Sequence, residues 1–211
     1  MHKPHDNFIL DDYPRGSVTQ WMYENEKLYK GLSVGLHGHN GIDTVAPWGS
    51  ALYAVEDSYV VDVKNDANGY GKHVRLRSTK EYKKGYREWT YGHMANIYVE
   101  GGQKVKAGDV LGIMGNTGFV VSGATPFWEY NPYAGTHLHL GLRYLIPNEK
   151  GWKHRYDTIT YDARDYDNGF LGAFDPVLAL SEVDPDGRRV KMLTVFSLLN
   201  QVVELFSKFK K

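Results

Sequence analysis

Glycine and proline interrupt the chain so often between Gly31 and Gly141 that an ordinary helix has little room there. An interior glycine costs a helix about 1 kcal/mol relative to alanine. The pieces left between the breaks are short and apolar, which reads as many short strands joined by tight turns. Residues 50–55 and 59–63 read as successive strands separated by the acidic turn Glu56-Asp57-Ser58. Residues 65–71 read as a hairpin loop leading into a strand at 72–77, and another strand runs through 89–93. An antiparallel sheet is the economical architecture, and the paired turns of residues 99–112 suggest a barrel-like corner.

The remaining segments differ in character. Residues 79–88 are charged and read as a solvated turn. Residues 119–135 form a long aromatic connection, and long loops in compact domains are often functional. Residues 147–168, rich in charge and tyrosine, read as a surface excursion, and Asp57, Asp62 and Asp66 as turn and surface residues. Residues 190–206 carry apolar side chains at three- and four-residue spacing, an amphipathic helix that packs on the domain or on a second copy of the chain. The expected organisation is an arm over 1–16, a main domain over 17–180 with insertions near 119–135 and 147–168, and a helical extension over 181–211. The 211 residues, 42% hydrophobic, suffice for one core. Lys+Arg and Asp+Glu balance at 25 each, so no global field concentrates nucleic acid. No apolar run is long enough for a signal peptide or a transmembrane helix.

The chemistry-bearing residues are histidines. His39 and Asp43 flank Gly41, with Gly38 before and Pro47 after, so their spacing belongs to an extended or turning segment. His137 and His139 flank Leu138, which in a strand puts both imidazoles on one face. With no cysteine in the chain, any zinc must be held by histidine and carboxylate. A His, an Asp and a distant His make a three-ligand site with one open position, as a hydrolase requires. The second histidine of the pair can then act as general base, and His93 can stabilise a developing oxyanion. Spacing alone does not rank His137 against His139. His37, two residues from His39, is a rival ligand; His2, His5, His73 and His154 read as structural or surface residues.

Taken together, these residues resemble the lysostaphin-type, LytM-like zinc endopeptidases that hydrolyse peptidoglycan. The likeness runs in order through Gly38-His39-Asn40-Gly41-Ile42-Asp43, Ala46-Pro47-Trp48-Gly49, Gly69-Tyr70-Gly71, Tyr91-Gly92-His93, Gly115-Asn116-Thr117-Gly118 and His137-Leu138-His139, roughly residues 17 to 145. It implies a mainly β domain of the duplicated-hybrid-motif kind with a groove bounded by loops, followed here by a C-terminal helix. It also implies one Zn²⁺ per chain on His39, Asp43 and His139, with His137 as general base and His93 stabilising the tetrahedral intermediate. The chain departs from the family at 119–135, where Trp128, Tyr130 and Tyr133 either line an extended substrate groove or cap the sheet edge.

The expected function is zinc-dependent cleavage of peptide cross-links or stems of peptidoglycan, at the cell envelope or outside the cell. No nucleic acid is expected as a partner, and self-association through the C-terminal helix is. The alternatives are a wall-binding or hydrolase-activating module and a component of a phage particle or secretion apparatus, all on the same fold.

Overall fold

The computed structural model describes residues 1–32, 34–122, 125–126 and 131–181. In chain order the elements are β1 (Val18–Gln20), α1 (Glu26–Gly31), β2 (Ile42–Thr44), β3 (Ala51–Tyr53), β4 (Ser58–Asp66), β5 (Gly71–Tyr82) and β6 (Gly85–Ile97). They continue with β7 (Lys104–Val105), β8 (Val110–Met114), β9 (Val121–Ser122), β10 (Thr125–Pro126), β11 (Leu138–Trp152), β12 (Tyr161–Ala163), β13 (Ala173–Phe174) and α2 (Pro176–Leu180). The main sheet runs β1-β2-β11-β6-β5-β4-β7, antiparallel throughout and not closed on itself; β3 and β8 pair with each other, and β8 also with β6. Residues 2–176 form one unit; the second, 177–211 with Met1, is described to Ser181. The expected helix at 190–206 lies outside the described residues.

β11 organises the sheet. Along one edge it pairs with β6 from His139 to Leu145, and along the other with β2, β13 and β12 in turn. Because strand side chains alternate, one face of β11 presents Leu138, Leu140 and Leu142, all almost fully buried, and the other presents His139, Gly141 and Arg143. Trp89 and Tyr91 of β6 and Val74 and Leu76 of β5 continue the apolar face, each fully buried. Burial of each such leucine or valine contributes about 1.5–3 kcal/mol. The two aromatic residues also satisfy their polar ends: Trp89 Nε1–H donates to Glu56 (2.5 Å), and Tyr91 Oη accepts from the Val55 amide (3.0 Å).

The other face is polar, and it accounts for three departures from the sequence reading. Residues 79–88 are no solvated turn: β5 and β6 continue to Tyr82 and from Gly85, and Glu88 is fully buried. Asp62 is no surface residue either; it is 1% exposed, 2.5 Å from Lys64 Nζ and 3.5 Å from His154 Nδ1. Nor is 147–168 a mere surface excursion. β11 runs to Trp152 and pairs with β12, Tyr161 is fully buried, and Asp157 receives Arg77 in a fork of 2.8 and 3.0 Å. In each case charged groups are buried in opposite pairs, which a count of charges cannot distinguish from solvation. The sequence reading also passed over α1, a six-residue helix.

Candidate metal centre

Strand register brings Asp43 and His139 together. Asp43 of β2 stands directly opposite His139 of β11, which in turn stands opposite Gly92 of β6. His39 arrives from the turn before β2. Its backbone N–H donates to Glu24 O (2.9 Å), and its Nδ1–H donates to the Trp21 carbonyl (3.1 Å). A carbonyl only accepts, so this bond fixes the tautomer and leaves Nε2 of His39 as the acceptor nitrogen.

That Nε2 lies 3.1 Å from Asp43 Oδ1 and 3.0 Å from His139 Nδ1, and His139 Nδ1 lies 3.2 Å from the same carboxylate oxygen. Three donors bound at 2.0–2.1 Å in tetrahedral geometry are about 3.3 Å apart, so the triangle is close to the size that zinc requires. Its electrostatics point the same way. A lone pair on His39 Nε2 faces a carboxylate oxygen, and only a cation or a proton between them relieves the repulsion. Burial pushes the Asp43 carboxyl up, but the His39 and His137 imidazoles and the close approach of His139 outweigh it and hold the carboxyl well below its usual range. Burial brings His139 down to about 4, so it presents a neutral nitrogen. Among the described residues these three form a group able to hold a metal ion.

Gly41 keeps the cluster closed. A Cβ there would sit 2.8 Å from Cε1 and Nε2 of His139 and 2.7 Å from the Leu140 carbonyl, closer than real Cβ atoms come. Gly41→Ala therefore displaces the His139 ring from the triangle. The expected outcome is a loss of zinc affinity of about 10- to 100-fold, measured by competition with a chromophoric chelator.

His137 and His93 stand beside the triangle. His137 Nδ1–H donates to the Gly135 carbonyl (2.6 Å), and its Nε2 is 3.7 Å from Asp43 Oδ2. His93 Nδ1–H donates to the Thr117 carbonyl (2.7 Å), and the two rings are 4.6 Å apart between centroids. His93 takes a left-handed backbone (φ 59°), and its N–H donates to Tyr70 O (2.7 Å). The Thr117 turn can approach because Gly118 and Gly71 face each other without side chains: a Cβ on Gly118 would lie 2.2 Å from Gly71 N. Burial pushes the His93 imidazole well down, with His137 and His139 adding to the effect, so His93 is neutral.

These five residues line a groove of about 850 Å³, lined also by Leu28, Leu32, Leu171, Phe119 and Thr136. His37 is not in the cluster; it stands edge-on to Phe170. His5 is buried with Nε2 2.9 Å from Thr44 Oγ1, His154 is buried beside Glu88, and His73 lines the groove with Nδ1–H on Gly71 O (2.8 Å). Tyr133 is exposed, edge-on to Trp48 and outside the groove's lining residues; Trp128 and Tyr130 lie outside the described residues. Sequence reasoning gave no role to Tyr70, whose ring lies 4.8 Å from that of His139 and whose hydroxyl accepts from Asn40 Nδ2 (2.8 Å). It also missed Tyr29, stacked 5.8 Å from His39. The only signal for Tyr70 was its place between Gly69 and Gly71.

Residues 37–154, more than half of the chain, match Peptidase family M23, and the chain belongs to that family. It is 27% identical over 128 residues to the murein hydrolase activator NlpD of Escherichia coli, an alignment covering 60% of this chain and 29% of NlpD. It is 33% identical over 104 residues to the peptidoglycan DD-endopeptidase ShyA of Vibrio cholerae, covering 49% of this chain and 20% of ShyA. The chain thus spans under a third of the length of these relatives. The solved structure of LytU shares the fold, with a TM-score of 0.51 and 24% identity over 86% of this chain and 95% of that one. No helix among the described residues is long and apolar enough to cross a membrane.

Proposed function

We propose that the protein is a zinc-dependent endopeptidase that hydrolyses peptide bonds in bacterial peptidoglycan, at the cell envelope or outside the cell. The observation that carries this reading is the closed donor triangle of His39, Asp43 and His139 with two further imidazoles beside it. Zinc held there would lower the pKa of water towards about 7 and polarise a carbonyl oxygen. The substrate class follows the similarity to ShyA and the M23 family.

The protein's own groups then divide the proton work. His137, with Nδ1–H held by the Gly135 carbonyl, accepts the proton of the attacking water at Nε2 and later returns it to the leaving amine. His93 has the same tautomer, so it would stabilise the oxyanion as an imidazolium, its Nε2 taking a proton from solvent as the negative charge develops beside it and returning that proton when the product leaves. The apolar side chains of Leu28 and Leu32, the Tyr29 ring stacked on His39 and the Tyr70 ring tilted against His139 limit water around the cluster.

Similarity to NlpD carries the alternative of a hydrolase-activating module. The test is mass spectrometry of fragments released from purified peptidoglycans of several cross-link types by isolated, chelated and zinc-restored protein. The expected result is peptide release that falls at least about 100-fold on chelation and returns with zinc. Release only when a second wall hydrolase is present, irrespective of metal, identifies the activator.

A further inference from the structure

Rows of side chains lead away from the histidine cluster on the groove face of the sheet. His139 stands opposite Gly92; two residues along β11, Gly141 stands opposite Thr90, itself opposite Arg75; two further, Arg143 stands opposite Glu88. Four residues of regularly paired strand separate His139 from Arg143, about 13 Å.

At the Arg143 end is a second hollow, of about 620 Å³, which adjoins the first: Lys64 and Arg75 line both. Arg143, Lys153, His154 and Arg155 also line it, with Trp152 and Tyr166 as aromatic walls and Asp162 as the only carboxylate among its lining residues. Asp62 and Glu88 are buried alongside. Five full cations therefore meet three carboxylates, an excess of two before His154 is counted, on a chain whose charges balance overall. Arg143 is committed to Glu88, with Nε at 2.7 Å and Nη2 at 2.5 Å from Oε1. Arg75 makes only a 3.6 Å contact with Glu88, and Lys153 and Arg155 have no ion-pair partner among the described residues. A concave, walled site with uncommitted cations focuses field on an anion, and guanidinium forks match a carboxylate.

We propose that this hollow binds a carboxylate carried by the substrate peptide, on a residue within about four positions of the bond that is cut, held by Arg75 and Lys153. The proposal deepens the peptidase reading and rests on it for the identity of the peptide. Continuity with the groove through Lys64 and Arg75, and a separation matching a short extended peptide, favour a group on the substrate over an unrelated anion.

The test uses the whole chain with zinc and one purified peptidoglycan, native or with its free carboxyl groups converted to methylamides by carbodiimide coupling. Both are stripped of phosphate polymers, and an unstripped sample runs in parallel. Initial rates of peptide release and co-sedimentation of the protein are measured. Capping is expected to lower both about tenfold. Arg75→Gln with Lys153→Gln is expected to bring the native-to-capped ratio close to one, with a lowered melting temperature because Arg75 also faces the buried Glu88. Lys153→Gln alone, which touches no buried charge, is expected to lower the ratio with an unchanged melting temperature, and Arg143→Gln is avoided because it strands Glu88. Equal cleavage of both preparations by the unaltered protein overturns the carboxylate site and leaves the peptidase reading intact. If neither preparation is cleaved, the peptidase reading falls and co-sedimentation decides. Preference for native wall that the double variant loses upholds the carboxylate site, and equal or absent binding overturns it. Binding that disappears when phosphate polymers are removed reassigns the hollow to those polymers and overturns the proposal.

Discussion

His139→Ala is expected to leave the protein folded but without zinc, and to lower peptide release by at least about a thousandfold, or roughly 4 kcal/mol of barrier. The remaining donors, His39 Nε2 and Asp43 Oδ1, 3.1 Å apart, make a two-ligand site, and two ligands hold zinc poorly. His137→Ala is the informative partner. Its Nε2 is 3.7 Å from Asp43 Oδ2 and outside the triangle, so that variant should keep about one zinc per chain while its turnover falls about 10²- to 10⁴-fold. Metal content by atomic emission after gel filtration, measured beside the rate, separates the two roles. Zinc retained at full stoichiometry by the His139 variant, or lost from the His137 variant, would exchange their assignments.

The histidines were legible because a strand repeats every two residues: the spacing of His137 and His139 placed both rings on one face whatever their partners. Pairing of Asp43 with His139, 96 residues away, was not legible from spacing, since register between distant strands leaves no local trace. Only the likeness to a family supplied that set. The strands themselves were readable from glycine and proline breaks, as at 50–55 and 72–77, yet their lengths were not. β6 runs unbroken through Arg87 and Glu88, where charge suggested a solvated turn. Charge reports polarity but not whether an opposite charge waits across the sheet, and for Glu88 the partner Arg143 lies 55 residues on. α1 escaped for a different reason: a six-residue helix with no buried residue has almost no periodic signal.

Arg143→Ala is expected to destabilise the fold by about 3–5 kcal/mol, because it leaves the fully buried Glu88 carboxylate without its principal partner. For a chain of this size that is a fall in melting temperature of roughly 10 °C. Replacing both residues with leucine should cost less than the sum of the single losses, since no charge is then stranded. The pH dependence gives a second check, of opposite sign in the two proteins. Burial pushes the Glu88 carboxyl up, but the Arg143 guanidinium, the hydrogen bond with His154 and the charge of Arg75 outweigh it and hold the group well below its ordinary 4.5. In the unaltered protein this stabilisation is fully present above the ordinary value and is lost as pH falls through the folded one. Without Arg143 burial dominates and the folded value rises above 4.5, so the variant gains stability by taking up a proton as pH falls through that raised value. The difference in unfolding free energy between the two proteins should therefore be largest near neutral pH and narrow on acidification, read from urea unfolding at pH 7 and pH 4. A constant difference across that range would mean that Glu88 titrates no differently with Arg143 removed, and that the buried pair is held by packing rather than by charge.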